Sequence, residues 1–361
     1  MRNAYRRNAW SLLLTALCLP VLVGCGTEWN DPYPSAERGS NRIYTSFSER
    51  PKHLDPAIAY SNSEIGFIAQ IYEPPLQYHY LKRPYTLIPA TLEAMPEIRY
   101  FDQSGRPASE ATPADQIGRT VYRMKLRGDV QYQPHPAFSL NPDGTPRYMN
   151  LDGRQARAVQ GAVGPMALSD PGTRLLKAQD YVYQIKRLAH PAVQSPIFGM
   201  MAEHIQGLQA LSDDIKTRMA ATPGVWIDLE PLPLPGAVAI NDRTLEITLD
   251  GKYPQFIYWL AMNFFAPVPR EVDQFYGQPA LRRTNVRIDT WPVGTGPYMM
   301  VESVQDTRHV MKRNPNYRGE PFPCEGMPGD REAGLLDDCG KKTPFIDTIV
   351  STVEKEGVPQ K

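Results

Sequence analysis

The chain has 361 residues, of which 42% are hydrophobic and 22% charged, with 39 basic against 39 acidic side chains. That composition can bury a large core over two to three domains, and it excludes a disordered chain or a multi-span membrane protein. Zero formal charge excludes the basic footprint of a nucleic-acid binder, and 36 prolines favour extended segments and long loops over a helical bundle.

Arg2, Arg6 and Arg7 precede an apolar run from Trp10 to Val23. A basic leader followed by a short apolar stretch has the form of an export signal, and about 14 residues are too few to span a bilayer comfortably. Leu22-Val23-Gly24-Cys25 resembles the bacterial lipobox. It predicts removal of residues 1–24, a lipid on the Cys25 sulfur, and attachment to a membrane of the cell envelope. The remaining chain has 36 basic and 39 acidic residues. Residues 25–40, polar and aperiodic with two prolines, read as a flexible tether.

Ordered structure is predicted from "NRIYTSF", where Ile43, Thr45 and Phe47 alternate as in a strand. "HLDP" stops it, because Pro56 biases Asp55 away from helix. "SNSEIGFIAQIY" predicts a helix capped by Ser61 or Ser63, with Ile65, Ile68 and Tyr72 on one face. "TVYRMKL" alternates as a half-buried strand. Residues 139–174 are polar, aperiodic and rich in Gly, Pro and Asp, a long excursion that is either functional or mobile. "AQDYVYQIKRLA" predicts a helix with Tyr181, Ile185 and Leu188 on one side and Lys186 and Arg187 on the other. "RTLEITLDG" is a strand with Leu245, Ile247 and Leu249 inward, and "YPQFIYWLAMNFFAPVP" begins as a helix and leaves extended. A last strand is expected in "PFIDTIVSTVEKE". The pattern is α+β or mixed α/β, with no internal repeat.

The stretch "WPVGTGPYMM" (Trp291 to Met300) has the glycines of a phosphate cradle but lacks its lysine, and Pro297 removes a backbone donor. A strand follows it where a dinucleotide site would open a helix. G-x-S-x-G and H-E-x-x-H are absent, and the six histidines show no metal spacing. A glycosidase-type carboxylate pair has no sequence support. No enzyme and no cofactor are predicted. Cys324 and Cys339 close a polar loop, for which a disulfide is the simplest reading in an oxidising compartment. A loop of that length is stabilised by about 3 kcal/mol. A zinc site is the competing reading, without a CxxC or a nearby histidine to support it.

In order, "HLDPA", "QIYEPPLQY", "VYRMKLRGDVQYQ", "AQDYVYQIKRL", "NDRTLEITLDGKYPQF", "PVGTGPYMMVES" with "RNPNYRG", and "PFIDTIV" cover about residues 41–350. This series resembles the extracellular solute-binding protein family that includes the oligopeptide- and dipeptide-binding proteins of ABC importers. That family's pattern has a Leu-Asp-Pro, a "YEGL"-like helix end, "PVGTGPY" and "RNP.YWG". The resemblance implies a periplasmic-binding-protein-like type II fold, an α/β clamshell whose two lobes close on a ligand. The expected division is lobe I from 41–73, an inserted subdomain at 74–266 and a lobe I continuation at 267–361, with the chain stopping before lobe II. A half-site with weak affinity and an enlarged exposed apolar face is therefore expected.

Extended peptides, or another small solute, are the implied ligand, held by main-chain contacts and enclosure. ABC permease subunits are the implied partners of a monomer. By position, Tyr60 and Ser61 after "HLDP", Tyr72, and Asn263, Phe264 and Phe265 in "MNFFAP" resemble cleft-lining parts. Ordinary core packing is the competing reading for Tyr72, Phe264 and Phe265. The main alternative function is a lipoprotein that keeps the fold as an adhesin, chaperone or sensor. A secreted hydrolase would need a catalytic group not found.

Overall fold

The computed structural model describes Glu37 and residues 39–354. The export segment 1–24, Cys25 and most of the 25–40 tether lie outside the described residues. From Arg42 onward the chain is one compact unit, built on two main sheets.

The first sheet holds β1 (Arg42–Phe47), β9 (Tyr298–Val304), β10 (Arg308–Arg313) and β11 (Thr348–Val353), in the order β1-β11-β10-β9. β1 runs parallel to β11 and pairs Thr45 with Ser351, whose hydroxyls also hydrogen-bond at 2.8 Å. β10 is antiparallel to both of its neighbours. The second sheet is antiparallel and takes all its strands from the middle of the chain. Its members are β4 (Glu97–Asp102), β5 (Pro107–Ala108), β6 (Ile117–Lys125), β7 (Ala237–Asn241) and β8 (Thr244–Asp250), ordered β5-β4-β6-β8-β7. A small hairpin joins β2 (Leu76–Tyr78) to β3 (Leu87–Pro89). In β8 the predicted alternation holds: Leu245, Ile247 and Leu249 are buried.

Helix α1 (Asn62–Ile71) packs against β9. Ser61 is its N-cap, and the Glu64 carboxylate reaches back to accept the backbone N–H groups of His53, Tyr60 and Ser61 at 2.8–3.0 Å. The face buried in the core is Phe67, Ile68 and Ile71, one step round from the expected stripe, and Ile65 is exposed.

Helices α2 (Gly153–Ala158), α3 (Ala178–Leu188), α4 (Phe198–His204), α5 (Leu208–Ala221), α6 (Phe256–Trp259) and α7 (Arg270–Tyr276) complete the fold. α3 packs against β7 and β8, and both of the sides read from its sequence are buried. Lys186 and Arg187, on the side opposite Tyr181, Ile185 and Leu188, are also buried, at 4% and 2% exposed. The Lys186 Nζ donates to the carbonyls of Leu229 and Glu230, and Arg187 forks onto Asp55. Charge in a helix therefore did not mean water, because the partners come from distant segments. At the helix start Lys177 occupies the N-cap, and Asp180 accepts its N–H at 2.9 Å.

The 139–174 excursion is packed down. Ser139 Oγ donates to the Asp170 carbonyl at 2.7 Å and closes its base, while Leu151 N–H and Tyr148 C=O bind the Gln278 amide. Tyr148, Leu151 and Val159 are buried. The glycines of "PVGTGPY" have an answer here too. A Cβ on Gly294 would stand 2.0 Å from the Ile71 carbonyl oxygen, and Gly296 N–H donates to that oxygen at 2.8 Å. The loop needs glycine to touch the end of α1 before β9 begins. Cys324 and Cys339 are joined by a disulfide, with Cα atoms 4.5 Å apart.

Candidate functional site

The C-terminal half of α1, the turn at 261–263, β2 and the segment at 317–344 enclose a cleft of about 680 Å³. Ile65, Ile68 and Tyr72, the stripe read from the sequence, line it together. The periodicity was real, but part of it faces this opening.

The six candidate residues separate into three groups. Tyr72 and Asn263 both line the cleft. Tyr72 is nonetheless buried, and its hydroxyl accepts the Val293 N–H at 3.3 Å. Burial, then the nearby Asp55 charge, pushes its phenol up, so it stays neutral. The Asn263 Nδ2 donates to the carbonyls of Pro56 and Ala59, at 2.9 Å each, and so fixes the loop that carries the second group. Tyr60 and Ser61 are exposed there, with the Tyr60 ring 6.1 Å from that of Phe264. Phe264 and Phe265 form the third group: both are fully buried, and Phe265 meets Phe256 edge-on at 5.5 Å. Their geometry is that of core packing.

Charge in the cleft comes from residues the sequence reading did not single out. Glu73, next to Tyr72, lines it with a side chain only 9% exposed. Its Oε1 accepts from Arg318 Nη1 at 2.6 Å, and Arg318 also donates to the Ala90 carbonyl. Its Oε2 is buried without a hydrogen-bond partner. The Thr295 hydroxyl stands beside this carboxylate, near enough to favour its charge, but not in hydrogen-bond geometry. Burial raises the Glu73 carboxyl above its ordinary range, and Arg318 opposes that rise without cancelling it. Glu320 stands across from it, with Oε1 held by the Gln77 amide. Tyr317 is pushed up to about 12, chiefly by burial and then by Glu73. One signal was available: Arg318 stands in "RNPNYRG" where the quoted pattern "RNP.YWG" has tryptophan. Such a cleft can bind and orient a polar group. Among the described residues no cluster of three or more His, Cys, Asp or Glu side chains is placed to hold a metal ion.

Residues 172–355, half of the chain, match the model described as "Bacterial extracellular solute-binding proteins, family 5 Middle". The chain belongs to this family. Its relatives include the periplasmic oligopeptide-binding protein OppA of Escherichia coli K12, 25% identical over 209 residues, which are 58% of this chain and 33% of OppA. They also include the probable deoxycholate-binding periplasmic protein YgiS of the same strain, 29% identical over 144 residues, 40% of this chain and 23% of YgiS. Family resemblance extends to solved structures. Listeria monocytogenes OppA bound to peptide superposes with a TM-score of 0.51 at 14% identity, over 88% of this chain and 43% of that one. Helicobacter pylori DppA in complex with the peptide STSA gives 0.51 at 15% identity, over 90% and 45%. The fold is thus the mixed α/β type II periplasmic-binding-protein fold, and the part covered fits a single lobe. The chain spans a third or less of the length of these curated relatives and less than half of the solved chains.

Proposed function

We propose that the chain captures a small solute, most simply a peptide, as part of the extracytoplasmic receptor of an ABC importer, and acts by binding without catalysis. The observation that carries this reading is the 680 Å³ cleft that Tyr72 and Asn263 share within a family 5 fold. Concave, partly apolar clefts with a few fixed polar groups are the usual form of small-ligand sites. In this reading Tyr60 and Ser61 meet the ligand from the loop that Asn263 holds, and Phe264 and Phe265 support that loop from behind. Lipid attachment at Cys25, a place in the bacterial cell envelope and a permease as partner belong to the same proposal. So does the division into lobe I at 41–73 and 267–361 with a subdomain inserted at 74–266. The two main sheets, which draw their strands from those separate stretches, support it.

The test is mass spectrometry of small molecules retained by the purified full chain, paired with thermal melts against pools of di- to nonapeptides. Retained peptide, or a rise in melting temperature with at least one pool, is expected. A chain that retains nothing and melts unchanged with every pool lacks the proposed activity.

A further inference from the structure

We infer that the chain has a second small-molecule site, separate from the cleft, which takes a hydroxylated anion: a carboxylate or phosphate carried on a polyol or sugar. The pocket, of about 450 Å³, is bounded by residues 160–162 of the 139–174 excursion, the loop at 283–291 and the end of β9 with the turn after it. That volume is in the usual range for small ligands. Tyr298 at one end of β9 borders the cleft and Val304 at the other borders the pocket, so about 20 Å of strand separates the two. Three contacts fix the walls. The Ser303 N–H donates to the Ala162 carbonyl at 2.8 Å, and Asn285 Nδ2 donates to Gln305 Oε1 at 3.3 Å. Gly164 leaves room for the Trp291 ring, which would stand 2.1 Å from a Cβ there.

Arg283 is the one charged side chain in the lining. It is exposed, and its guanidinium has no acceptor among the described residues. The same holds for Arg282 and Arg287 on that loop. Carboxylates on the neighbouring stretches are already turned to other cations: Asp289 to His53 at 3.4 Å, Glu302 to Arg308 at 3.5 Å and Asp306 to Arg50 at 3.3 Å. An anion therefore meets a cation that nothing in the protein neutralises, and the guanidinium fork suits carboxylate and phosphate alike. The neutral polar groups specify the rest of the ligand. The hydroxyls of Thr284, Thr290 and Ser303 are engaged within the protein. Left over are the Gln305 amide N–H groups, donors for the anion, and the Gln160 carbonyl oxygen, an acceptor for a hydroxyl, because Gln160 Nε2 is spent on the Ala156 carbonyl. Val286, Trp291 and Val304 supply an apolar wall for the carbon skeleton.

The test is isothermal titration of the full chain with glycerol 3-phosphate, gluconate and the neutral polyol sorbitol. Cosedimentation with phosphatidylglycerol vesicles, against phosphatidylcholine vesicles, separates a lipid headgroup from a free solute. At least one anionic probe is expected to bind about tenfold or more tighter than its neutral counterpart. Binding of a soluble anion assigns the pocket to a free solute, and binding confined to phosphatidylglycerol assigns it to a headgroup. Arg283→Gln should lower that affinity about tenfold and Gln160→Ala several-fold. Both variants should keep the melting temperature of the unliganded chain and the peptides it retains. Failure of every anionic probe to bind, equal binding of the neutral counterparts, or an affinity that survives Arg283→Gln overturns the inference. None of these outcomes bears on the solute-binding reading of the cleft, which peptide retention decides.

Discussion

Two buried carboxylate–guanidinium pairs hold this molecule together, and they are built differently. The Asp55 and Arg187 side chains are each 3% exposed, and every guanidinium nitrogen has a partner. The guanidinium forks onto both Asp55 oxygens at 2.6 and 2.9 Å, while its Nε reaches Asp273 and its Nη1 also reaches Gln184. Asp55 also accepts the Ala57 N–H, and Asp273 accepts Tyr183 and Trp226. Glu73 and Arg318 are nearly as buried but share a single short contact, and the other Glu73 oxygen is buried beside the Thr295 hydroxyl without a formed hydrogen bond. Removing two charges from water is costly in both places. Where geometry is complete, the pair locks the "HLDP" loop to α3. Where it is incomplete, burial keeps the carboxyl raised and readier to hold a proton.

The sharpest way to break this contrast is to remove one guanidinium at a time. Arg187→Met strands Asp55 in the core and should cost about 3–5 kcal/mol in urea denaturation. Arg318→Met should cost less, because Glu73 already tends to hold a proton and can become neutral. Equal losses would mean that the two sites are energetically alike. A smaller effect is expected from Gly294→Ala. Its new methyl would press on the Ile71 carbonyl and should cost about 1–3 kcal/mol. Because the strain lies at the end of α1, beside Tyr72, solute binding in the cleft should weaken while the Asp55 pair, followed through Trp226 fluorescence, does not change.

The mildest test is the pH dependence of the melting temperature. Burial lowers His309 to about 4 and His135 to about 3, against an ordinary 6.5. Both stay neutral in the fold while the unfolded chain takes up protons, so stability is complete above pH 6.5 and falls as the pH drops toward 4. Glu73 acts the other way. Its native carboxyl binds a proton before the unfolded one does, so acidification toward 4.5 stabilises the fold through this group. Glu73→Gln should therefore lose stability more steeply than the parent between pH 6.5 and 4.5. Parallel slopes would assign Glu73 an ordinary carboxylate environment.

Much of the fold was legible because local patterns suffice where one face of an element is buried and the other is not. β8 is the plainest case, and β6 follows it. The α1 cap was also local, since Ser61 and Glu64 lie three residues apart. What escaped was set by partners far along the chain. Arg187 meets Asp55 across 132 residues and Arg318 meets Glu73 across 245, and no window of sequence contains either pair. For that reason the partners of the two buried cations on α3 and the charged part of the cleft were missed. Asn263 was picked by position, but its role, clamping two carbonyls of the "HLDP" loop, needed coordinates.

The parallel pairing of β1 with β11 has a consequence for how the molecule comes into being. Thr45 and Ser351 lie 306 residues apart, so the strand that emerges first must wait for almost the whole polypeptide before it finds its neighbour. Long-range parallel contacts form slowly, and an unpaired strand edge is an invitation to wrong partners in the meantime. In the antiparallel sheet from Glu97 to Asp250, β4 pairs with the nearby β6 and the pair waits only for β8, so this sheet can assemble earlier.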